Sequence, residues 1–239
     1  MGFLCLSRIR PEADIQVQAL HNAHQISGGL NKMHLATPEY DIFEHRHRFA
    51  AWAAGRAYSR RGPGHDMSTA MKLLTLSGLS SLKTPDDLPE PDKVDAFLDK
   101  LIVAVMRVAS EITYLRKSKS GNTVENQLLC SYGRAQKLVN IYLKSKLVCS
   151  GWETHASVVN LHPPLDSVLI KSMGSYTWKN RSQCSGARLA FERAQQLGNT
   201  WTSFDRATYD AYIDTIKIIQ RNAPLWAIEW LWQPAKDTE

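Results

Sequence analysis

Apolar residues return every three or four positions almost throughout this chain, and strict apolar–polar alternation is nearly absent. Val94, Phe97, Leu98, Leu101, Ile102, Val105, Ala109 and Ile112 form the longest such stripe, the pattern of an amphipathic helix. This period points to an all-α fold. Thr37-Pro38 reads as a cap with proline in the first turn of a helix over about 38–61. Asn122-Thr123-Val124-Glu125 reads as a capping box that opens a shorter helix. Further helices are predicted over about 12–26, 68–79, 134–148, 165–173, 184–197 and 205–221, with a last short one over Trp226–Trp232. Breaks fall at Gly62-Pro63-Gly64, Thr84–Pro91, Ser118–Asn122 and His162-Pro163-Pro164. None is long enough to be a disordered linker.

At 239 residues and 44% hydrophobic, the chain can bury a sizeable core as one large domain or two packed lobes. No apolar run approaches the ~20 residues of a membrane span, and the best, Leu101–Ala109, is interrupted by Arg107. Arg8 and Arg10 follow the short apolar start, and no small-residue cleavage site does, which argues against a signal peptide. Cys5, Cys130, Cys149 and Cys184 are scattered and form no CxxC, so free thiols in a reducing cytoplasm are expected and a zinc site is not. The expectation is a cytoplasmic monomer without membrane contact, metal or cofactor. P-loop, GxSxG and HExxH motifs are absent from the sequence.

The net charge of +6 is unevenly placed. Between Arg107 and Lys146 eight basic residues oppose two acids, and between Arg46 and Lys72 six oppose one. Asp86–Asp99 carries six acids against Lys93. Such segregation gives a positive face suited to phosphates, or simply solvated helix faces.

Two stretches carry candidate chemistry. In Gly133-Arg-Ala-Gln-Lys-Leu-Val-Asn-Ile-Tyr-Leu-Lys144, a glycine and a basic turn open a helix, whose amides make a phosphate site. Lys137, Ile141 and Lys144 then share one face, while Leu138, Val139, Tyr142 and Leu143 face the core. In Leu161-His-Pro-Pro-Leu-Asp166, two prolines stop the chain and Asp166 opens the next helix, where it serves as a cap.

Together these stretches resemble the helix-hairpin-helix base-excision DNA glycosylases, closest to the compact archaeal type of the 8-oxoguanine glycosylase branch. The resemblance covers roughly residues 120–175 and elsewhere extends only to helical character. It implies two closely packed helical lobes, roughly 1–118 plus the C-terminal helices and 119–200, with a helix-hairpin-helix-like element and a cleft between them. It implies that Lys137 is the nucleophile and Asp166 the assisting carboxylate. Ile141 and Lys144 match base-pocket positions, and Glu229 with Trp226 or Trp230 matches the acid and indole of the C-terminal helix. The chain departs from the family in three ways. Only Gly133 stands close before the lysine where two glycines are usual. The Lys137–Asp166 spacing of 29 suits the archaeal branch better than the common one, and Ile141 replaces an aromatic residue.

The implied activity is excision of a modified base from double-stranded DNA, with an AP-lyase step open to the Schiff base. Two substrates fit: an oxidised purine such as 8-oxoguanine, or a hypermodified phage base in anti-phage defence. An extruded base needs a pocket and a stacking surface. Arg48, Trp52 and Arg56 form a basic stripe around an indole on one helix face, and Trp52 is a further pocket candidate. Gly133, Arg134, Arg48, Arg56, Lys117 and Lys119 are the candidate DNA contacts. Arg134 and Lys144 beside Lys137 are expected to favour its free amine. A second reading is a metal-free all-α ribonuclease of toxin type, built on the Arg60 and His65 spacing. A third is a non-catalytic nucleic-acid-binding protein.

Overall fold

The computed structural model describes residues 40–58, 64–118 and 121–233. The expected helix over 12–26 and the Thr37-Pro38 cap lie outside these residues. From Asp41 onward the chain forms one unit, mostly α-helical. One helix, Tyr132–Lys146, packs both on elements that precede residue 118 and on elements that follow it.

Helix α1 spans Ile42–Tyr58 and opens where Asp41 Oδ1 accepts from Glu44 N at 2.8 Å. It buries Ala50, Ala51, Ala54 and Gly55, small residues that admit a close neighbour. Helix α2, Met67–Leu76, is capped by Asp66, which accepts from Thr69 N. Helix α3, Val94–Ser110, buries Val94, Leu98, Ile102, Val105 and Ala109, the stripe read from the sequence.

The capping box expected at Asn122 is overturned. Residues Thr113–Lys117 (β1) and Thr123–Gln127 (β2) form an antiparallel hairpin with Thr113 opposite Gln127 and Lys117 opposite Thr123. Glu125 does not reach back to cap a helix: its Oε1 accepts from Thr113 Oγ1 across the hairpin at 2.6 Å. Gly121, at φ +85°, supplies the left-handed residue that the turn needs.

Helix α4, Tyr132–Lys146, is the central element, packed against α1 and α3, and buries Leu138, Val139, Tyr142 and Leu143. Each such side chain, fully buried, contributes about 1.5–3 kcal/mol. Helix α5, Ser167–Lys179, runs beyond the predicted end at 173, because Gly174 is a packing position. A Cβ there would lie 3.0 Å from the Phe191 ring. Helices α6, Ser185–Leu197, and α7, Arg206–Gln220, pack on each other, with Phe204 stacked on Tyr212 at 5.1 Å. The last predicted helix is a 3₁₀ segment, Leu225–Leu231.

Among the described residues, no helix is long and apolar enough to cross a membrane. Cys130, Cys149 and Cys184 are free thiols.

Candidate active site

On α4 the half-buried residues Arg134, Lys137, Ile141 and Lys144 recur at helical spacing, so they form one strip along an otherwise buried helix. Lys137, Ile141 and Lys144 of this strip line a cavity of about 410 Å³, together with Asp166 and Glu229. Trp52 and Arg56 of α1 and Trp232 complete its mouth. Five of the residues singled out from the sequence beyond Lys137 and Asp166 therefore meet here: Ile141, Lys144, Trp52, Arg56 and Glu229.

Lys137 Nζ lies 3.3 Å from Asp166 Oδ2. The side chains are 14% and 17% exposed, low enough to strengthen their attraction yet open to a ligand. Asp166 is held from the other side, where Oδ1 accepts from Val168 N and Leu169 N, both at 3.0 Å, as the N-cap of α5. One oxygen thus fixes the rotamer and the other meets the amine. The amine also sits 4.5 Å from the centroid of the Trp201 ring, a cation–π contact.

A buried amide network sets this meeting. Gln136 Nε2 donates to Leu165 O at 2.8 Å, and Gln136 Oε1 accepts from Leu165 N at 3.2 Å. Asn140 Nδ2 donates to Pro163 O and to Tyr209 Oη. The Tyr209 hydroxyl also meets His162 Nδ1, whose Nε2 meets Asp95 Oδ1. Gln136 and Asn140 are four residues apart, so one stripe of α4 grips the 163–165 strap while the adjacent stripe carries Lys137, Ile141 and Lys144.

Lys144 Nζ contacts both oxygens of Glu229 at 2.8 Å. Burial pushes the Glu229 carboxyl above its ordinary range, and the Lys144 ammonium opposes that shift. The pair gives the cavity a hydrogen-bond donor and an acceptor side by side.

The aromatic assignments near the C-terminus divide. Glu229 and Trp232 line the cavity, whereas Trp230 meets Tyr176 edge-on at 5.3 Å. Trp226 packs against the core, its buried indole N–H without a hydrogen-bond partner. Trp226 and Trp230 are thus outside the cavity lining, and Trp232 is within it. Trp232 and Trp201 are the site residues that the sequence reading did not assign.

The phosphate site expected at the start of α4 is not formed by the amides there. Gly133 N donates to Phe204 O at 3.0 Å, and Arg134 N donates to Ser131 Oγ at 3.2 Å. Gly133 is a close-approach residue, because a Cβ there would collide with the Trp201 carbonyl oxygen. The Arg134 charge acts on Tyr58 and His65, beyond the cavity. Arg48 is exposed and ion-paired with Glu44 at 2.6 Å. Lys117 is exposed at the end of β1, and Lys119 lies outside the described residues.

Arg60 also lies outside the described residues. His65 is 7% exposed and packs edge-on against Tyr58 at 5.0 Å. Burial and the Arg134 charge lower its pKa. It lines no part of the cavity. Among the described residues, no group of three or more His, Cys, Asp or Glu is arranged to hold a metal.

No family model, curated protein or solved structure matches the chain.

Proposed function

We propose that the protein is a DNA glycosylase, acting as a cytoplasmic monomer on double-stranded DNA that carries a modified base. The observation that carries this reading is the 3.3 Å approach of Lys137 Nζ to Asp166 Oδ2 on the wall of a cavity of about 410 Å³. That volume is within the range of small-ligand sites, roughly 300–1,000 Å³.

A base inside a duplex is out of reach, so the nucleotide swings out into the cavity. Asp166 takes a proton from the Lys137 ammonium. The freed nitrogen lone pair attacks C1′ of the nucleoside, and the bond from C1′ to the base nitrogen breaks. Its electron pair leaves with the base, and Asp166 gives that base the proton it took from Lys137. The carboxylate so regenerated stabilises the positive charge on the sugar–lysine adduct. Opening of the sugar ring gives a Schiff base on Lys137. Loss of a C2′ proton then expels the 3′-phosphate, which nicks the strand.

Lys144 and Glu229 offer a donor and an acceptor to the edge of the base, and Trp52 and Trp232 offer rings at the mouth. Ile141 gives the pocket a flexible apolar wall rather than an aromatic plate. This suits either an oxidised purine or a bulkier modified phage base.

The test has two parts. Borohydride reduction in the presence of lesion-bearing duplexes traps the Schiff base as a covalent protein–DNA adduct, which Lys137→Gln does not form. Mass spectrometry of bases released from phage and host DNA identifies the substrate. Failure of adduct and base release with every modified base tried overturns the proposal.

A further inference from the structure

Helix α5 carries a second surface next to the cavity, with chemistry of its own. Ser167, Lys171, Ser175 and Lys179 repeat every fourth residue, so they form one exposed ridge. Hollows of about 600 and 720 Å³ flank it, and all four residues line both. An exposed indole stands on each side. Trp178 is 55% exposed, with the guanidinium groups of Arg181 and Arg188 at 4.7 and 5.2 Å from its ring centroid. Trp230 is 58% exposed and is propped edge-on by Tyr176. From Ser167 to Asn199 five basic residues face a single acid, Glu192, which is paired with Arg188.

Lys171 and Lys179 run between these two exposed indoles, so flat apolar rings and positive charge share one surface. A duplex hides the faces of its bases, whereas a single strand presents faces and phosphates together. Indoles for the faces and lysines for the phosphates are the two elements of a single-strand track. Carboxylates, which would repel a phosphate chain, are absent from α5. The helix is about 20 Å long, which takes roughly six stacked nucleotides at ~3.4 Å each. The ridge begins at Ser167, the residue after Asp166, so a strand lying on it leads to the cavity.

We infer that the outer face of α5 binds single-stranded DNA, stacking unpaired bases on Trp178 and Trp230 and holding phosphates on Lys171 and Lys179. This goes beyond the glycosylase reading and stands without it. Under that reading, unpaired nucleotides flanking the target rest here while the target occupies the cavity.

Fluorescence anisotropy on the full chain tests it, with a labelled mixed-sequence DNA of roughly 10 nucleotides. The comparison probes are its duplex, the RNA of the same sequence and polyglutamate of equal charge. The single-stranded DNA is expected to bind most tightly. Trp178→Ala and Trp230→Ala each weaken it at least about fivefold. Lys171→Ala with Lys179→Ala lowers the slope of log affinity against log salt by about 1.4. All four side chains are exposed, and thermal melting confirms that the variants fold. Equal binding of polyglutamate or of the duplex, tighter binding of the RNA, or unchanged affinity in both sets of variants overturns the inference. Lys137→Gln keeps single-strand binding but releases no base. If the wild type also releases none, the glycosylase reading fails and the track remains.

Discussion

Gln136 holds Leu165 by both ends of one peptide unit pair, donating to its carbonyl oxygen at 2.8 Å and accepting from its amide at 3.2 Å. The side chain is fully buried, so no water substitutes for it. Its neighbours in sequence are Lys137 on one side of the contact and Asp166 on the other. The register between Lys137 and Asp166 is therefore fixed by a residue that touches neither charge. Gln136→Leu leaves a buried N–H and a buried C=O unpaired. The expected loss is about 2–4 kcal/mol, a fall in Tm of roughly 5–15 °C. Base release falls with it even at temperatures where the variant is folded. Calorimetry and a base-release assay on the same preparation check both.

Gly133→Ala tests whether this glycine serves phosphate or packing. In an open helix alanine gains about 1 kcal/mol over glycine. Here the added methyl meets the Trp201 carbonyl oxygen, which is backbone and held by its own turn. The helix must move away from the 201–204 turn, with an expected net loss of about 1–3 kcal/mol. Trp201 also loses its place beside the Lys137 amine. Denaturant titration gives the sign; a more stable variant refutes the packing role.

The period of α4 was legible because one helix turn sorts Lys137, Ile141 and Lys144 from Leu138, Val139 and Tyr142 without help from the rest of the chain. Asp166 was legible because two prolines end one segment and a capping residue opens the next. The hairpin was not. Asn122–Glu125 satisfies the local pattern of a helix start, and what decides its state is pairing with 113–117. The swap of Trp230 for Trp232 has a similar origin. Residues Leu225–Leu231 wind with three residues per turn rather than 3.6, which rotates the later side chains onto other faces. Trp201 reaches Lys137 only because Gly133 lets its turn approach, a contact between segments far apart in sequence.

Lys146 gives stability an alkaline slope. It is 2% exposed and donates to Tyr142 Oη at 2.8 Å, and among the described residues no carboxylate is in hydrogen-bond contact with it. Burial pulls its pKa down to about 8. Unfolded, the lysine titrates near the ordinary value of about 10.4. Between these values the unfolded chain binds more protons, so stability rises with pH across that window. Below about pH 8 both states are charged and the folded state carries the full desolvation cost. The difference is at most about 3 kcal/mol. Above pH 10 the buried phenols, such as Tyr212 with its pKa raised to about 12, reverse the trend. Urea titrations of the wild type and Lys146→Met between pH 8 and 10 separate the effect. The stability gap between them narrows or reverses in favour of the wild type as pH rises, while the variant's own slope is flatter.

Asp166 has two roles that one pair of substitutions separates. Its Oδ1 caps α5 and its Oδ2 faces Lys137. Asparagine is as good a cap as aspartate but carries no charge. Asp166→Asn should therefore keep stability within about 1 kcal/mol. Under the proposed mechanism it removes the proton acceptor and the charge that stabilises the sugar cation, with an expected loss of about 10²–10³ in the rate of base release. Asp166→Ala loses the cap as well, at a further cost of about 0.5–2 kcal/mol in stability. Single-turnover rates and melting temperatures of the two variants distinguish the roles. If Asn and Ala lower activity only in proportion to stability, the carboxylate is a cap alone. If Asn is as stable as the wild type and nearly inactive, the charge facing Lys137 is what the reaction uses.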